Sequence, residues 1–314
     1  MSALLAIEDV RVEYRSRERG TVAAVAGVSL DVAAGEIVGL VGESGCGKSS
    51  LARAVAGLTA PRAGTIAYDG RPVTPLGWRR RPSVDVGLQM VFQNPYASLN
   101  PRRRIGSQLA DGLPAGPDRA RRVADLLDRV GMPAEAASKY PHQFSGGQRQ
   151  RLAIARALAP RPRLLVADEP VTALDASSAA QIVNLLVELV RDTGTGLLFI
   201  SHDLALVRQI ADRTAVMYLG KIVEVAPTAQ LWDAPRHPYT RALIDAVPRI
   251  SAEPTLPAVL AGEVPDPANA PSGCRFRPRC PYAVAECAVE PPVRATGAGS
   301  VACWLPDPTV PEGR

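Results

Sequence analysis

The sequence has almost no lysine: Lys48, Lys139 and Lys221 are the only ones among 36 basic residues in a chain of 314. The net charge of +5 therefore rests on arginines scattered through every segment. No aromatic residues interleave with the short runs 79–81 and 102–104, which read as solvated loops and argue against nucleic acid as a partner. Also missing is any run of about eighteen uncharged apolar residues, and the first residues lack the basic stretch of a signal peptide. The chain is expected to stay in the cytoplasm unless another subunit holds it to a membrane. Disorder is excluded by 46% hydrophobic and 21% charged residues, a composition that predicts one large domain plus an extension. Cysteine is scarce and uneven. Cys46 stands alone, whereas Cys274, Cys280, Cys287 and Cys303 crowd the C-terminal region, which in a reducing compartment suggests metal before disulfide.

What is present is periodicity that changes along the chain. Residues 4–13 and 25–32 alternate apolar and polar, predicting strands of an antiparallel edge. A short apolar run from Glu36 enters a glycine-rich turn, and helical spacing follows over 48–58, giving strand, loop and helix. Residues 95–162 read as a helical subdomain. Two apolar runs, 163–168 and 196–201, flank an amphipathic stretch over 177–193, predicting parallel central strands joined by a crossover helix. Beyond Val247 prolines become dense and periodicity fades, so a boundary is expected near residue 250. The predicted domains are residues 1–250 and a Pro-rich extension, 251–314, folded around something other than a large core.

Three segments carry chemistry. Gly42-Glu43-Ser44-Gly45-Cys46-Gly47-Lys48-Ser49, with Ser50 after it, fits the phosphate-binding pattern G-x-x-x-x-G-K-[ST] in the strand-to-helix context that pattern requires. Its glycines let successive N–H groups face one concavity, the helix adds its positive end, Lys48 reaches the outer phosphates and Ser49 can meet magnesium. Leu164 to Glu169 is a buried strand delivering Asp168 and Glu169 to its C-terminal end, where ligands of open α/β sheets collect. Asp168 is the candidate magnesium ligand, and Glu169 is placed to polarise a water for in-line attack. Ser145-Gly146-Gly147-Gln148 opens a strong helix and reads as a second anion site or as a plain N-cap with flexible glycines.

Ser-Gly-Gly-Gln ahead of Leu-Val-Ala-Asp-Glu resembles the signature sequence of ABC ATPases, and the resemblance spans about residues 5–245. It implies a fold class: an α/β P-loop ATPase domain with a mostly parallel central sheet, an antiparallel β edge and a helical signature subdomain. It also implies that Gln93 is the glutamine that meets magnesium or water. Tyr14 is the candidate to stack on adenine, with a surface strand tyrosine as the competing reading. Thr172 to Asp175 resembles the loop crossing the dimer interface, and His202 the switch histidine at the γ-phosphate. The family closes ATP between two ATPase units, so a second ATPase subunit is implied, with a paralogue expected. Two transmembrane permease subunits and an extracytoplasmic solute-binding protein would complete an importer, with this chain peripheral on the cytoplasmic face of the membrane.

Three stretches, 91–101, 237–243 and 273–281, resemble the oligopeptide and dipeptide importer subgroup, which also includes nickel and other small-solute importers. ATP and Mg²⁺ are the implied cofactors. For Cys274, Cys280, Cys287 and Cys303 the resemblance implies a 4Fe-4S cluster. Zinc, disfavoured by the lack of a C-x-x-C knuckle, and metal-free thiols are the alternatives. A chromosome or repair ATPase would need heptad coiled coils or several zinc modules, and 50–144 has neither. A ribosome-recycling ATPase would need two ATPase units.

Overall fold

Alternation of buried side chains decides the architecture. The computed structural model describes residues 3–16, 20–76, 86–172, 174–247 and 262–305. The arginine run 79–81, Ala173 and the boundary expected near residue 250 lie outside them. Strands β1 (Leu5–Ser16) and β2 (Gly20–Val32) pair antiparallel, as the alternation predicted, with Leu5 opposite Val32 and Tyr14 opposite Val22. Next come β3 (Ile37–Val41), α1 (Lys48–Val55), β4 (Ala63–Tyr68) and β5 (Arg71–Pro72). The first sheet has the order β2-β1-β4-β5.

After β6 (Leu88–Val91), the chain forms α2 (Ile105–Ala110), α3 (Arg119–Arg129) and α4 (Gly146–Leu158), linked by short 3₁₀ turns. These helices lie within the stretch 95–162 expected to be helical. Strand β7 (Leu164–Asp168), helix α5 (Ala176–Thr193) and strand β8 (Gly196–Ile200) form the expected crossover, β7 and β8 being parallel. Helix α5 starts where Asp175 Oδ1 accepts the Ser178 N–H at 2.9 Å, and it ends at left-handed Gly194. Then follow α6 (Leu204–Ile210), β9 (Arg213–Tyr218), β10 (Lys221–Pro227), α7 (Thr228–Asp233), α8 (Pro238–Asp245) and a hairpin of β11 (Val293–Thr296) and β12 (Gly299–Ala302).

The main sheet has the order β11-β12-β10-β9-β3-β8-β7-β6, and β9, β3, β8, β7 and β6 run parallel. Both faces of its centre are buried. Ile37, Val41, Leu165, Ala167, Leu197 and Phe199 pack toward the helical subdomain and α5. Val38, Leu40, Val166, Leu198 and Ile200 pack toward α1 and the antiparallel sheet. Period-2 alternation with apolar residues on both sides explains why these strands read as unbroken hydrophobic runs.

The C-terminal region departs from the expectation that it folds apart from a large core. Strand β12 pairs with β10, Val301 opposite Glu224, so the hairpin extends the main sheet. Phe276, 2% exposed, joins the core beside Tyr218 at 5.3 Å, Tyr239 at 5.4 Å and His237 at 5.8 Å between ring centroids. Proline density hid this docking because the contacts come from single side chains and not from a periodic face.

Candidate functional site

Strand β3, buried at every residue, delivers the loop 42–47 to the C-terminal edge of the sheet, and α1 begins at Lys48. Two glycines are required by contact. A Cβ at Gly42 would lie 2.1 Å from the Met217 carbonyl, and one at Gly47, where φ is 109°, would lie 2.1 Å from the Ala24 carbonyl. Ser44 and Gly45 are exposed at the mouth of the loop, while Cys46 is buried and its thiol is pushed up by that burial. Lys48, only 4% exposed, donates through Nζ to the carbonyls of Gly42 at 2.8 Å and Glu43 at 3.0 Å. The loop thus curls around its own lysine and leaves an ammonium at the base of a concave, glycine-lined turn.

Ser49 Oγ donates to Asp168 Oδ1 at 2.9 Å across 119 residues of sequence. Asp168 is buried at the end of β7, and burial holds its carboxyl above the ordinary carboxylate range against the opposing hydrogen bond from Ser49. One hydroxyl and one buried carboxylate, both hard oxygen donors, face each other here as a small divalent cation requires.

Glu169 follows in a left-handed backbone conformation, φ 45°, which is costly for a residue with a side chain. Its own N–H donates to the Ile200 carbonyl at 3.0 Å, tying the turn to β8. Three groups converge on Glu169 Oε2. Gln93 Nε2 donates at 3.2 Å, Thr172 Oγ1 donates at 3.0 Å, and His202 Nδ1 lies at 3.4 Å. Gln93, Glu169 and His202, 109 residues apart at the extremes, therefore share one locus, with the one-residue step from Asp168 placing it beside the Ser49 pair. Thr172, within the loop expected to cross the dimer interface, has an additional contact: its position three residues after Glu169 allows its hydroxyl to reach back, and that short spacing is the available signal.

Other candidates lie apart. At the start of α4, Ser145 Oγ accepts the Gln148 N–H at 3.4 Å and Gln148 Oε1 accepts the Ser145 N–H at 3.0 Å, a reciprocal capping box. Gly146 faces Leu174, and Gly147 faces Ser178 in the first turn of α5. No hydrogen bond among the described residues joins 145–148 to 42–50. Asp175 is exposed, and the N–H and hydroxyl of Ser178 hold its carboxyl below the usual range. Tyr14 is 39% exposed on β1.

The four C-terminal cysteines are free thiols, as is Cys46. Among the described residues no three His, Cys, Asp or Glu side chains are arranged to hold a metal ion. The structure therefore does not support the expected iron–sulfur ligand set at Cys274, Cys280, Cys287 and Cys303. Cys274 and Cys280 pack against the apolar core and Cys287 and Cys303 are buried. Burial pushes the Cys280 thiol up to about 11 and those of Cys274 and Cys303 upward as well, so they sit as neutral thiols. Charge on Cys287 would raise each of these three further, so the four lie near one another. Among the described residues no helix is long and apolar enough to cross a membrane.

Comparison with known proteins adds the family context. Residues 25–172 match the family model described as ABC transporter, and residues 223–287 match that described as oligopeptide/dipeptide transporter, C-terminal region. The chain is 46% identical over 289 residues to the di/tripeptide transport ATP-binding protein DppF of Pseudomonas aeruginosa, covering 90% of each. A solved ATP-binding cassette, dimeric in a post-hydrolysis state with ADP and phosphate, superposes with a TM-score of 0.64 at 27% identity, covering 71% of this chain and 98% of that one. The cbiO1 protein of Clostridium perfringens, part of an ABC transporter complex, gives the same TM-score at 26% identity, with 74% and 92% covered.

Proposed function

This chain belongs to the ABC transporter family, and from that premise we propose that it is the ATP-hydrolysing subunit of a peptide importer. The observation that carries the peptide assignment is the match of residues 223–287 to the oligopeptide/dipeptide transporter C-terminal region. Similarity to a di/tripeptide transport protein over nine-tenths of the chain supports it.

In this reading residues 42–50 take the phosphates, with Lys48 turning its ammonium from the loop carbonyls to the outer phosphate oxygens. Magnesium fits the pair Ser49 and Asp168, because a buried carboxylate meets only one hydroxyl there; Gln93 is the third candidate ligand. When bound, that ion neutralises charge on the phosphate oxygens. Glu169 accepts the proton of the attacking water. Gln93 and Thr172 hold its Oε2 in place, and His202, half exposed beside it, contacts the terminal phosphate.

Among the described residues no hydrogen bond joins Ser145 to Gln148 or Asp175 to this chain's own phosphate loop, and we assign them to ATP held by a second ATPase subunit. A paralogue is the expected second subunit. Two permease subunits and an extracytoplasmic solute-binding protein complete the importer, which places the chain on the cytoplasmic face of the membrane. Tyr14, exposed on β1, is assigned to adenine stacking.

A 4Fe-4S centre on the four C-terminal cysteines is the finer reading of that region. Their proximity supports it, and their present arrangement does not fit it, so no step of the cycle is routed through such a centre. Iron and zinc analysis of anaerobically purified chain decides between cluster, zinc and free thiols.

The function is tested by deleting the gene in its own organism and measuring uptake of labelled di- and oligopeptides. Wild-type chain should restore uptake and Lys48→Ala should not. Unchanged peptide uptake with lost nickel uptake would overturn the peptide assignment.

A further inference from the structure

Glu43, the second residue of the phosphate loop, is gripped from the C-terminal region, 236 residues away. Arg279 Nη1 donates to Glu43 Oε2 at 2.8 Å and Nη2 to Oε1 at 3.1 Å, a fork-to-fork pair. The arginine side chain is 3% exposed and the glutamate 24%, so this pair is shielded from the solvent that weakens surface ion pairs. The guanidinium also reaches the Tyr218 hydroxyl at 3.5 Å.

The loop is held at the same residue by two further contacts. The Glu43 N–H donates to Tyr239 Oη at 2.9 Å, and its carbonyl accepts Lys48 Nζ at 3.0 Å. Arg275 adds a hydrogen bond to the Leu219 carbonyl, and the adjacent Gly220 N–H donates to the Cys46 carbonyl at 2.7 Å. Arg279 thus reaches the start of the turn that a triphosphate must enter, and Arg275 from the same short segment holds Leu219, beside the Gly220 that bonds its far end.

The charge matters as much as the shape. An unpaired carboxylate at residue 43 would place a negative charge within the loop that receives an anion, and a partly buried one would turn outward to find water. Pairing with Arg279 removes both effects, and the fork fixes the carboxylate plane in a way that a point charge does not.

We propose that Arg279 is a positioning residue of the ATP site: by clamping Glu43 it keeps the phosphate loop in its nucleotide-binding shape, so ATP affinity depends on the C-terminal region. The inference rests on the assignment of residues 42–50 as the ATP site.

Titration of the full chain with a fluorescent ATP analogue tests it, with competition by unlabelled ATP. Arg279→Met should weaken ATP binding by roughly tenfold or more, and Arg279→Lys, which keeps the charge but loses the fork, by about threefold. In a Glu43→Gln background, where no carboxylate remains to be clamped, the same Arg279→Met replacement should change affinity less than about twofold. The double variant also contains no unpaired charge at this position, so it remains informative where Arg279→Met alone fails to fold. Wild-type affinity in Arg279→Met, or an equal loss in both backgrounds, would overturn the clamp. Failure of the wild-type chain to bind ATP would instead strike the assignment of the site itself.

Discussion

His202 Nδ1 lies 3.4 Å from Glu169 Oε2, the same oxygen that accepts hydrogen bonds from Gln93 and Thr172. A glutamine carbonyl at that position can accept the same two bonds, so Glu169→Gln should leave the surrounding geometry and ATP binding intact. It cannot accept the water's proton, and turnover should fall by roughly 10²- to 10⁴-fold. Steady-state phosphate release by the assembled transporter, beside nucleotide affinity of the isolated chain, checks both halves. Near wild-type turnover would remove Glu169 from the role of base.

Asp168 pulls stability and function in opposite directions. Burial raises its carboxyl above the ordinary range, so ionisation at neutral pH costs the folded state more than the unfolded one. Asp168→Asn removes that penalty while its side-chain oxygen still accepts from Ser49 Oγ. Nucleotide-free protein should therefore be more stable by about 1 kcal/mol, a rise of a few degrees in melting temperature. The magnesium-dependent part of ATP affinity should be lost in the same variant. A lowered melting temperature without ligand would show that the ionised carboxylate is stabilising in this fold.

Most of this site was legible because its signals are local. The phosphate loop announces itself through glycine spacing between a strand and a helix, and Asp168 and Glu169 through an apolar run that ends in two carboxylates. Gln93 and His202 carry no local signal of their own and entered through family resemblance; the sheet order β8-β7-β6 explains why both reach Glu169. The clamp on Glu43 was not legible. Arg279 lies in a Pro-rich stretch without periodicity, and nothing in either segment encodes a contact across 236 residues. The cysteines show the opposite case. Their crowding in sequence suggested a ligand set, but Cys274 and Cys280 pack against the core and Cys287 and Cys303 are buried, which makes them packing groups as much as candidate ligands.

Ser145 separates a helix-capping role from an interface role. Its hydroxyl caps α4 through the Gln148 N–H, so Ser145→Arg should cost about 1 kcal/mol of stability as any lost N-cap does. Because its hydrogen bonds do not reach residues 42–50, ATP affinity of the isolated monomeric chain should stay within about twofold. ATP-driven association with a second ATPase subunit should be abolished, as sedimentation in the presence of Glu169→Gln would show. An equal loss of affinity in the monomer would place Ser145 at its own chain's nucleotide instead.

His237 gives the fold a pH dependence of predictable sign. It is fully enclosed at the start of α8, where its Nδ1 accepts the Tyr239 N–H at 3.0 Å and burial pushes it down to about 3 from an ordinary 6.5. A histidine depressed in the folded state binds its proton only on unfolding, so its stabilising contribution is complete above 6.5 and is lost as pH falls toward 3. Between pH 7.5 and 5.5 the unfolded histidine becomes charged while the folded one stays neutral, a loss of about 1.4 kcal/mol. Glu224, whose carboxylate accepts the His237 and Arg236 N–H groups, is raised by burial and contributes with the opposite sign. Its contribution is common to wild type and to His237→Asn, in which the amide oxygen can accept the same Tyr239 N–H without titrating. Urea unfolding of both proteins at the two pH values isolates the histidine. The variant should start less stable, having lost its contact with Phe276, yet lose about 1.4 kcal/mol less than wild type on acidification. Parallel losses in the two proteins would mean that His237 accepts a proton within the folded state.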